Sequence, residues 1–152
     1  MTTWLVPSAS VGKLKLADTC RPEGGTVLTF DELTPGVALG PHHYQIDQAA
    51  FDRWVRLYPE DASYAPGLPS GLVMVAIMRA YMALADSPPG GIHAGQQLKM
   101  HRLPRIGDRL DIGLTCRHKE IRKGRRWAYF DLVVHAGDDL VAAGATTSIW
   151  SR

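Results

Sequence analysis

The chain has 152 residues, a formal net charge of +2 and a hydrophobic fraction of 45%. These values are typical of one globular domain, so they argue against a disordered chain and against a two-domain protein. The small net charge also gives no electrostatic reason to expect nucleic-acid binding.

Cysteine usage and hydropathy make a secreted or membrane protein unexpected. Cys20 and Cys116 are the two cysteines, too few for a disulfide framework or a zinc cluster. The N-terminus lacks a basic region followed by a long apolar core, so no signal peptide is predicted. The most apolar stretch, residues 71–85, carries Arg79 and is shorter than the roughly 20 residues that span a bilayer. We expect a reduced, cytoplasmic protein.

The first half of the chain predicts short strands and a small helix. Residues 1–25 show no clean period and are left unassigned, and strands are predicted at Thr26–Phe30, around Gly36–Leu39 and at His43–Ile46. Asp47 is predicted to cap the helix that follows, because its carboxylate can accept the exposed amides of the first turn. The helix is expected to end at Pro59, and its apolar stripe comprises Phe51, Trp54, Val55 and Tyr58.

A second helix is predicted at residues 71–85, which read GLVMVAIMRAYMALA. Arg79 is its one charged residue. Because a helix in water keeps a polar face, we expect this one to be enclosed on most sides. Ser70 is the predicted N-cap, and the SPPGG segment at 87–91 is predicted to end the helix. The proline-rich stretch at 59–70 before it is expected to be an ordered loop.

The remainder of the chain predicts four long strands. They are Ile92–Leu103, Arg109–His118, Arg126–Ala136 and Val141–Trp150. One face of the second strand is predicted to carry the even-numbered residues 110–116, and the alternation of the fourth runs through the odd-numbered residues 141–149. The third is rich in β-branched and aromatic residues. The segments RKGR at 122–125 and GDD at 137–139 are typical of hairpin turns. The order of elements therefore predicts an α+β domain in which a curved antiparallel sheet wraps one apolar helix.

Four short segments resemble the MaoC-like acyl-thioester dehydratases and hydratases. They are FDEL at 30–33 with PG at 35–36, LYPED at 57–61, GLPSGL at 67–72, and HRLP at 101–104 continued by GDRL at 107–110. The resemblance covers roughly residues 28–152 and implies a single hot-dog domain, which we assign to residues 26–152. It also implies an acyl thioester of coenzyme A or an acyl carrier protein as the substrate.

The catalytic signature of that family is incomplete here. MaoC-like hydratases carry Gly-Asp-x-Asn-Pro-(Leu/Ile)-His, in which the Asp and His add or remove water. Asp61 matches the Asp, Ser63 stands at the Asn, Tyr64 at the Pro, and Pro66 at the catalytic His. The related carrier-protein-linked β-hydroxyacyl dehydratases pair a His with a Glu, and Ala76 falls where that Glu would be. The activity therefore does not follow from the fold alone.

Three residues remain candidates for catalysis. Asp61 is the candidate acid or base, since it lies in the loop just before the apolar helix, although an aspartate in a surface turn is common. Gly71 at the start of that helix can present its amide to a developing enolate, or can simply belong to a helix cap. Tyr64 lies in the same loop, and its phenol can donate a proton or orient water. A histidine from elsewhere is the other possible helper, with candidates His42, His43, His93 and His101.

Two further groups are predicted to contact substrate. Ser63, Ser70 and Leu72 belong to the segments that surround the site in the resemblance. Arg122, Lys123 and Arg125 form a basic hairpin tip, which is either a solvated turn or a contact for the phosphates of the acyl carrier. No spaced metal-ligand set, P-loop or dinucleotide fingerprint is present, so neither a metal nor a cofactor is predicted.

Three functions stay open at this point. The first is reversible hydration of an acyl thioester, and the second is thioester hydrolysis with Asp61 activating water. The third is a non-catalytic hot-dog subunit in a heteromeric complex. A homodimer, or a heterodimer with a related subunit, is expected because pairing of open edge strands protects both.

Overall fold

The computed structural model describes residues 28–85 and 89–151, and within them the chain forms five strands and two α-helices. A 3-10 segment, Pro59–Tyr64, lies between the helices. The helices are α1 (Gln48–Leu57) and α2 (Ser70–Leu84), and the strands are β1 (Ala38–Gln45), β2 (Ile92–Met100), β3 (Arg109–Arg122), β4 (Arg125–Ala136) and β5 (Asp139–Trp150).

The five strands form one antiparallel sheet in the order β1-β3-β4-β5-β2. Two tight hairpins join β3 to β4 and β4 to β5, as predicted. Lys123 and Gly124 have φ angles of 51° and 70° in the first of these turns, the conformation that matches the twist of the paired strands. The outermost strands are β1 and β2, so each of them has one edge without a partner strand in the described part of the chain.

Helix α2 packs on the concave face of the sheet and supplies much of the core. One side of it is buried against strand residues that include the predicted alternation on β3. The buried helix residues are Leu72, Val73, Ala76, Ile77, Ala80, Tyr81 and Leu84, and the strand residues are Leu110, Ile112, Leu114 and Cys116. The opposite side remains open, with Val75 39% and Met82 59% exposed. A single chain therefore encloses this apolar helix less completely than the sequence predicts.

The short N-terminal strands differ from the prediction. Thr26 lies outside the described residues, and residues 28–30 form no strand. Instead, the Nζ of Lys119 donates to the carbonyl oxygens of Phe30 and Asp31, at 2.9 Å each. The two strands predicted at 36–39 and 43–46 are one strand, β1, with a register shift between Leu39 and His42. Gly40 (φ 101°) followed by Pro41 explains this shift, because the pair cannot continue a regular ladder.

The start of α2 also corrects a prediction. Ser70 is the first residue of the helix, and the N-cap position belongs to Pro69, whose carbonyl oxygen accepts from the amides of Leu72 and Val73 at 3.0 and 3.2 Å. The helix ends at Leu84, before the predicted SPPGG terminator, of which residues 87 and 88 lie outside the described part. By contrast, the Asp47 cap is confirmed, since its Oδ1 accepts from the amide of Ala50 at 2.8 Å.

Strands β2 and β5 show two smaller differences. Strand β2 ends at Met100, not at residue 103. On β5 the predicted apolar alternation ran through the odd-numbered residues from 141 to 149, whereas the concave side carries Thr146, Ser148 and Trp150. The two hydroxyls can be buried there because Ser148 pairs with the hydroxyl of Tyr81 and Thr146 with His93. No helix among the described residues is long and apolar enough to cross a membrane.

Candidate active site

Asp61 lies beside the N-terminus of α2, held there by a tryptophan. The 3-10 segment turns the chain back after α1, so that the indole Nε1 of Trp54 donates to Asp61 Oδ2 at 2.7 Å. The same indole ring lies against Gly71, where a Cβ atom would be only 2.9 Å from Trp54 Cζ2. One side chain therefore connects the candidate acid or base to the candidate oxyanion amide.

The N-terminus of α2 presents an unused amide. The first helical hydrogen bonds come from Leu72 and Val73, and no hydrogen-bond acceptor for the Gly71 amide exists in the described residues. Gly71 is exposed. A free amide at the positive end of a helix is suited to bind an oxygen that gains negative charge.

The other predicted residues of this loop occupy different environments. Tyr64 is 45% exposed at the end of the 3-10 segment. The Ser63 hydroxyl donates to the Glu60 carbonyl oxygen at 3.0 Å, so it stabilises the segment. Leu72 is buried in the core, and Ser70 is exposed beside Gly71. Asp61, Ser70 and Gly71 thus lie at the N-terminus of α2. Tyr64 belongs to the same 3-10 segment as Asp61, whereas Leu72 is turned into the core in the single chain.

The candidate helper histidines have other contacts. His43 Nδ1 lies 2.6 Å from Asp111 Oδ1. On β2, His93 Nε2 lies 3.0 Å from Thr146 Oγ1 and 3.1 Å from Gln96 Oε1. None of these contacts involves the loop that carries Asp61.

A polar cluster on the concave face was not predicted from the sequence. The Tyr81 hydroxyl and Ser148 Oγ are 2.6 Å apart, and the Tyr81 ring packs edge-on against His93 at 6.3 Å between centroids. Burial raises the pKa of Tyr81 and outweighs the opposing effect of the Ser148 hydrogen bond. Tyr81 therefore stays neutral at physiological pH, and it supports the orientation of the β2 edge beside α2.

The basic hairpin lies at the opposite end of the sheet from Asp61. A backbone bridge between Gly67 and Arg105 ties the Asp61 loop to the chain just before β3. Strand β3 then runs 14 residues to Arg122, about 40 Å at the usual rise per residue. Arg122 itself is engaged, with its guanidinium 4.4 Å from the Trp127 ring centroid. Lys123 and Arg125 of the same tip therefore cannot reach the Asp61 site of their own chain.

Trp54 is the residue that sequence reasoning missed, since it was placed in the apolar stripe of α1. The signal in the sequence for this contact is a carboxylate seven residues after the tryptophan, with a proline between them that starts a turn. Among the residues that the structure describes, no group of three or more His, Cys, Asp or Glu side chains is arranged to hold a metal ion.

Sequence comparison finds no matching protein-family model and no matching curated protein. Structural comparison finds clear neighbours. A MaoC-like dehydratase from Rhodospirillum rubrum aligns with a TM-score of 0.69 and 17% identity, over 82% of this chain and 98% of that chain. R-hydratase PhaJ1 from Pseudomonas aeruginosa aligns with a TM-score of 0.65 and 21% identity, over 82% of this chain and 86% of its own.

A third neighbour is a complex of two different subunits. The 3R-hydroxyacyl-ACP dehydratase HadBC from Mycobacterium tuberculosis aligns with a TM-score of 0.59 and 15% identity, over 77% of this chain and 96% of the matched chain. At sequence identities this low, structural matches show the fold alone. The strand order of the sheet and the central helix of this chain agree with the fold of these neighbours. The chain therefore has the hot-dog fold seen in MaoC-like dehydratases and R-hydratases.

Proposed function

We propose that the protein is an acyl-thioester hydratase or dehydratase that adds water reversibly to an enoyl group. The observation that carries this proposal is the contact of one indole with both Asp61 and Gly71, which places a carboxylate beside an unused helix-terminal amide. Hydration needs these two functions: a base for water and a donor for the thioester oxygen. The hot-dog neighbours named as dehydratases and hydratases support the same reaction class.

In the hydration direction, the Gly71 amide donates to the thioester carbonyl oxygen. Asp61 takes a proton from water as the water oxygen bonds to Cβ, and the electrons move into an enolate that the amide stabilises. A proton delivered to Cα completes the addition of one water. The Cα proton comes from the carboxylic acid formed on Asp61 or from a helper, for which Tyr64 is the candidate within the same chain. Ser63 and Ser70 are proposed to border the acyl group, and the acid–base chemistry calls for no redox cofactor.

A homodimer formed through β2 is part of the proposal. Both edge strands have one register shift, but β1 carries Pro41 at its shift, whereas the nine residues of β2 include no proline. The open side of α2 flanks β2, since Gln96 Nε2 donates to Met74 Sδ at 3.4 Å. Pairing two β2 edges would continue the sheet and cover the exposed apolar side of both α2 helices.

This dimer would unite residues that one chain keeps apart. The contacts of Met74 with Gln96 and of Tyr81 with His93 show that α2 runs antiparallel to β2, so the α2 N-terminus lies towards Met100. The basic hairpin and His93 lie towards the other end of β2. Two-fold pairing of antiparallel strands places each end beside the partner's opposite end. The hairpin, with Lys123 and Arg125, would then approach the partner's α2 N-terminus, where it could bind acyl-carrier phosphates, and His93 would approach as the helper histidine.

The proposal is tested by mass spectrometry on enoyl-, 3-hydroxyacyl- and saturated acyl-thioesters of coenzyme A and of an acyl carrier protein. We expect a change of 18 mass units, one water, with the wild type and none with Asp61→Asn. Asp52→Asn is the matched control, because that carboxylate is exposed on α1 and bonds to Gln48. Release of free acid and thiol would identify a thioesterase instead. Unchanged substrates throughout would contradict catalysis by this chain alone and favour a subunit that needs a different partner.

A further inference from the structure

Trp54 has an unusual position for a residue of an amphipathic helix. It is only partly buried, its ring packs against Tyr58 with 4.4 Å between centroids and a tilt of 34°, and its polar edge is turned towards Asp61. The adjoining edge of the same ring, at Cζ2 and Cη2, lies against Gly71, where an added Cβ would be 2.9 and 3.1 Å from those two atoms. The indole therefore occupies the junction of α1, the 3-10 segment and α2.

We infer that Trp54 is a positioning residue that fixes one oxygen of Asp61 and leaves the other for proton transfer. This inference rests on the proposed function, in which Asp61 is the acid or base. The Trp54 hydrogen bond goes to Oδ2, and no hydrogen bond to Oδ1 is formed by any residue that the structure describes. An ionised carboxylate accepts at both oxygens, so occupation of Oδ2 does not prevent Oδ1 from taking a proton.

An indole is suited to this task because it donates one hydrogen bond and does not titrate. It therefore cannot compete with Asp61 for the transferred proton. Contacts with Tyr58 and Gly71 fix the plane of the ring, and the ring in turn fixes the carboxylate. The Asp61 carboxylate gains a defined orientation from the Trp54 indole. The remaining hydrogen bonds of the short 3-10 segment, from Ser63 and the backbone, restrain the segment and not the carboxylate.

The absence of a side chain at Gly71 is then required for a second reason besides its free amide. A Cβ at this position would be 2.9 and 3.1 Å from two ring atoms of Trp54, closer than normal packing allows. Gly71→Ala would therefore push the indole away from its place. Loss of the Trp54–Asp61 hydrogen bond should accompany that substitution.

The first test needs no substrate. In protein labelled with ¹⁵N-tryptophan, the indole N–H resonance of Trp54 should shift when added acid protonates the carboxylate to which it bonds. The shift should vanish in Asp61→Asn and diminish in Gly71→Ala. Trp150 is an internal reference, because its indole donates to the Leu28 carbonyl oxygen at 2.9 Å. A Trp54 resonance that is independent of pH, or equally dependent on it in Asp61→Asn, would overturn the inference.

The second test measures turnover. Trp54→Phe keeps an aromatic ring and removes the donor, so we expect kcat to fall about tenfold with KM changed less than about twofold. A lower kcat at nearly unchanged KM would separate orientation of the carboxylate from a general loss of substrate binding. Tyr44→Phe is the matched control, because it also removes a hydrogen-bonding group from an aromatic ring, on strand β1, where the Tyr44 hydroxyl accepts from Arg79 at 2.9 Å. A thermal melt of each variant separates lost turnover from lost folding.

The outcomes distinguish this inference from the function on which it rests. Wild-type protein that turns over no thioester, with the Trp54 resonance still coupled to Asp61, would refute the proposed reaction and retain the structural coupling. Wild-type activity that disappears in Asp61→Asn and is unchanged in Trp54→Phe, both in kcat and in KM, would refute the positioning role alone.

Discussion

Gly144 on β5 permits the close approach of the edge strand β2. A Cβ at residue 144 would overlap the carbonyl oxygen of Gln97 and lie 3.0 Å from the Cα of Leu98. Both are backbone atoms of β2, paired with β5 at this point, so they cannot swing aside as a side chain would. Gly144→Ala should therefore force β2 away from the sheet.

The size of the effect follows from two contributions. Overpacking against backbone costs about 1–3 kcal/mol, and opening the ladder removes hydrogen bonds worth about 1 kcal/mol each. We expect the free energy of unfolding to fall by about 3 kcal/mol, which corresponds to a decrease in Tm of roughly 6–12 °C for a domain of this size.

The measurement is urea unfolding followed by circular dichroism, with hydrogen exchange on β2. Gly95→Ala is the matched control, because a Cβ at residue 95, on β2 itself, would meet nothing within 4 Å. The control should unfold within about 0.5 kcal/mol of wild type. Equal stability of Gly144→Ala and the control, with unchanged exchange in β2, would refute the backbone-overlap argument.

Three other predictions concern the helices and the concave face. Tyr81→Phe should lose about 1–2 kcal/mol, because it leaves the buried Ser148 hydroxyl without its partner. Burial raises the pKa of Tyr81 from 10.0, so the stability linked to its neutral form is present below pH 10 and lost as pH rises through the folded-state pKa. In urea titrations, the difference in unfolding free energy between wild type and Tyr81→Phe should therefore shrink as pH rises through that pKa. A difference that stays constant would contradict this. Asp47→Ala should lose about 1 kcal/mol of stability and Asp47→Ser much less, since serine also caps, and equal losses in thermal melts would argue against the cap. Met82→Asp, on the open side of α2, should convert the proposed dimer to monomer in sedimentation velocity, and an unchanged dimer would exclude that side from the interface.

The predictable parts of this fold are those in which local pattern and tertiary contact agree. The alternation of Leu110, Ile112 and Leu114 identifies the buried face of β3 because every second residue of a strand points the same way. The Asp47 cap is predictable for a similar reason, since donor and acceptor are three residues apart. The nearly continuous apolar sequence of α2 predicts a central helix. It does not predict which side of that helix stays exposed, because this depends on the strands that pack against it.

The errors arise where distant residues decide the local structure. Residues 28–30 look like a strand, yet their carbonyl groups bond to Lys119 and Trp150 far along the chain. The Trp54–Asp61 pair was missed because the apolar period of α1 explains a tryptophan without reference to its N–H group. Detecting that pair requires the path of the 3-10 segment, which the sequence pattern alone does not specify.

The proposed dimer also changes how the predicted residues can be tested. In one chain, the basic hairpin and the Asp61 loop lie at opposite ends of a 14-residue strand, which is about 40 Å long, so a single active site cannot use both from the same chain. If each site takes Asp61 from one subunit and the hairpin from its partner, Asp61→Asn and the double variant Lys123→Ala/Arg125→Ala should each lack full activity when alone. When the two variants are unfolded together and refolded in equal amounts, half of the dimers contain one subunit of each variant. Each of these mixed dimers has one intact site. Recovery of about a quarter of the wild-type rate would therefore establish a shared site, whereas activity equal to the average of the separate variants would show that the hairpin does not serve the partner's Asp61.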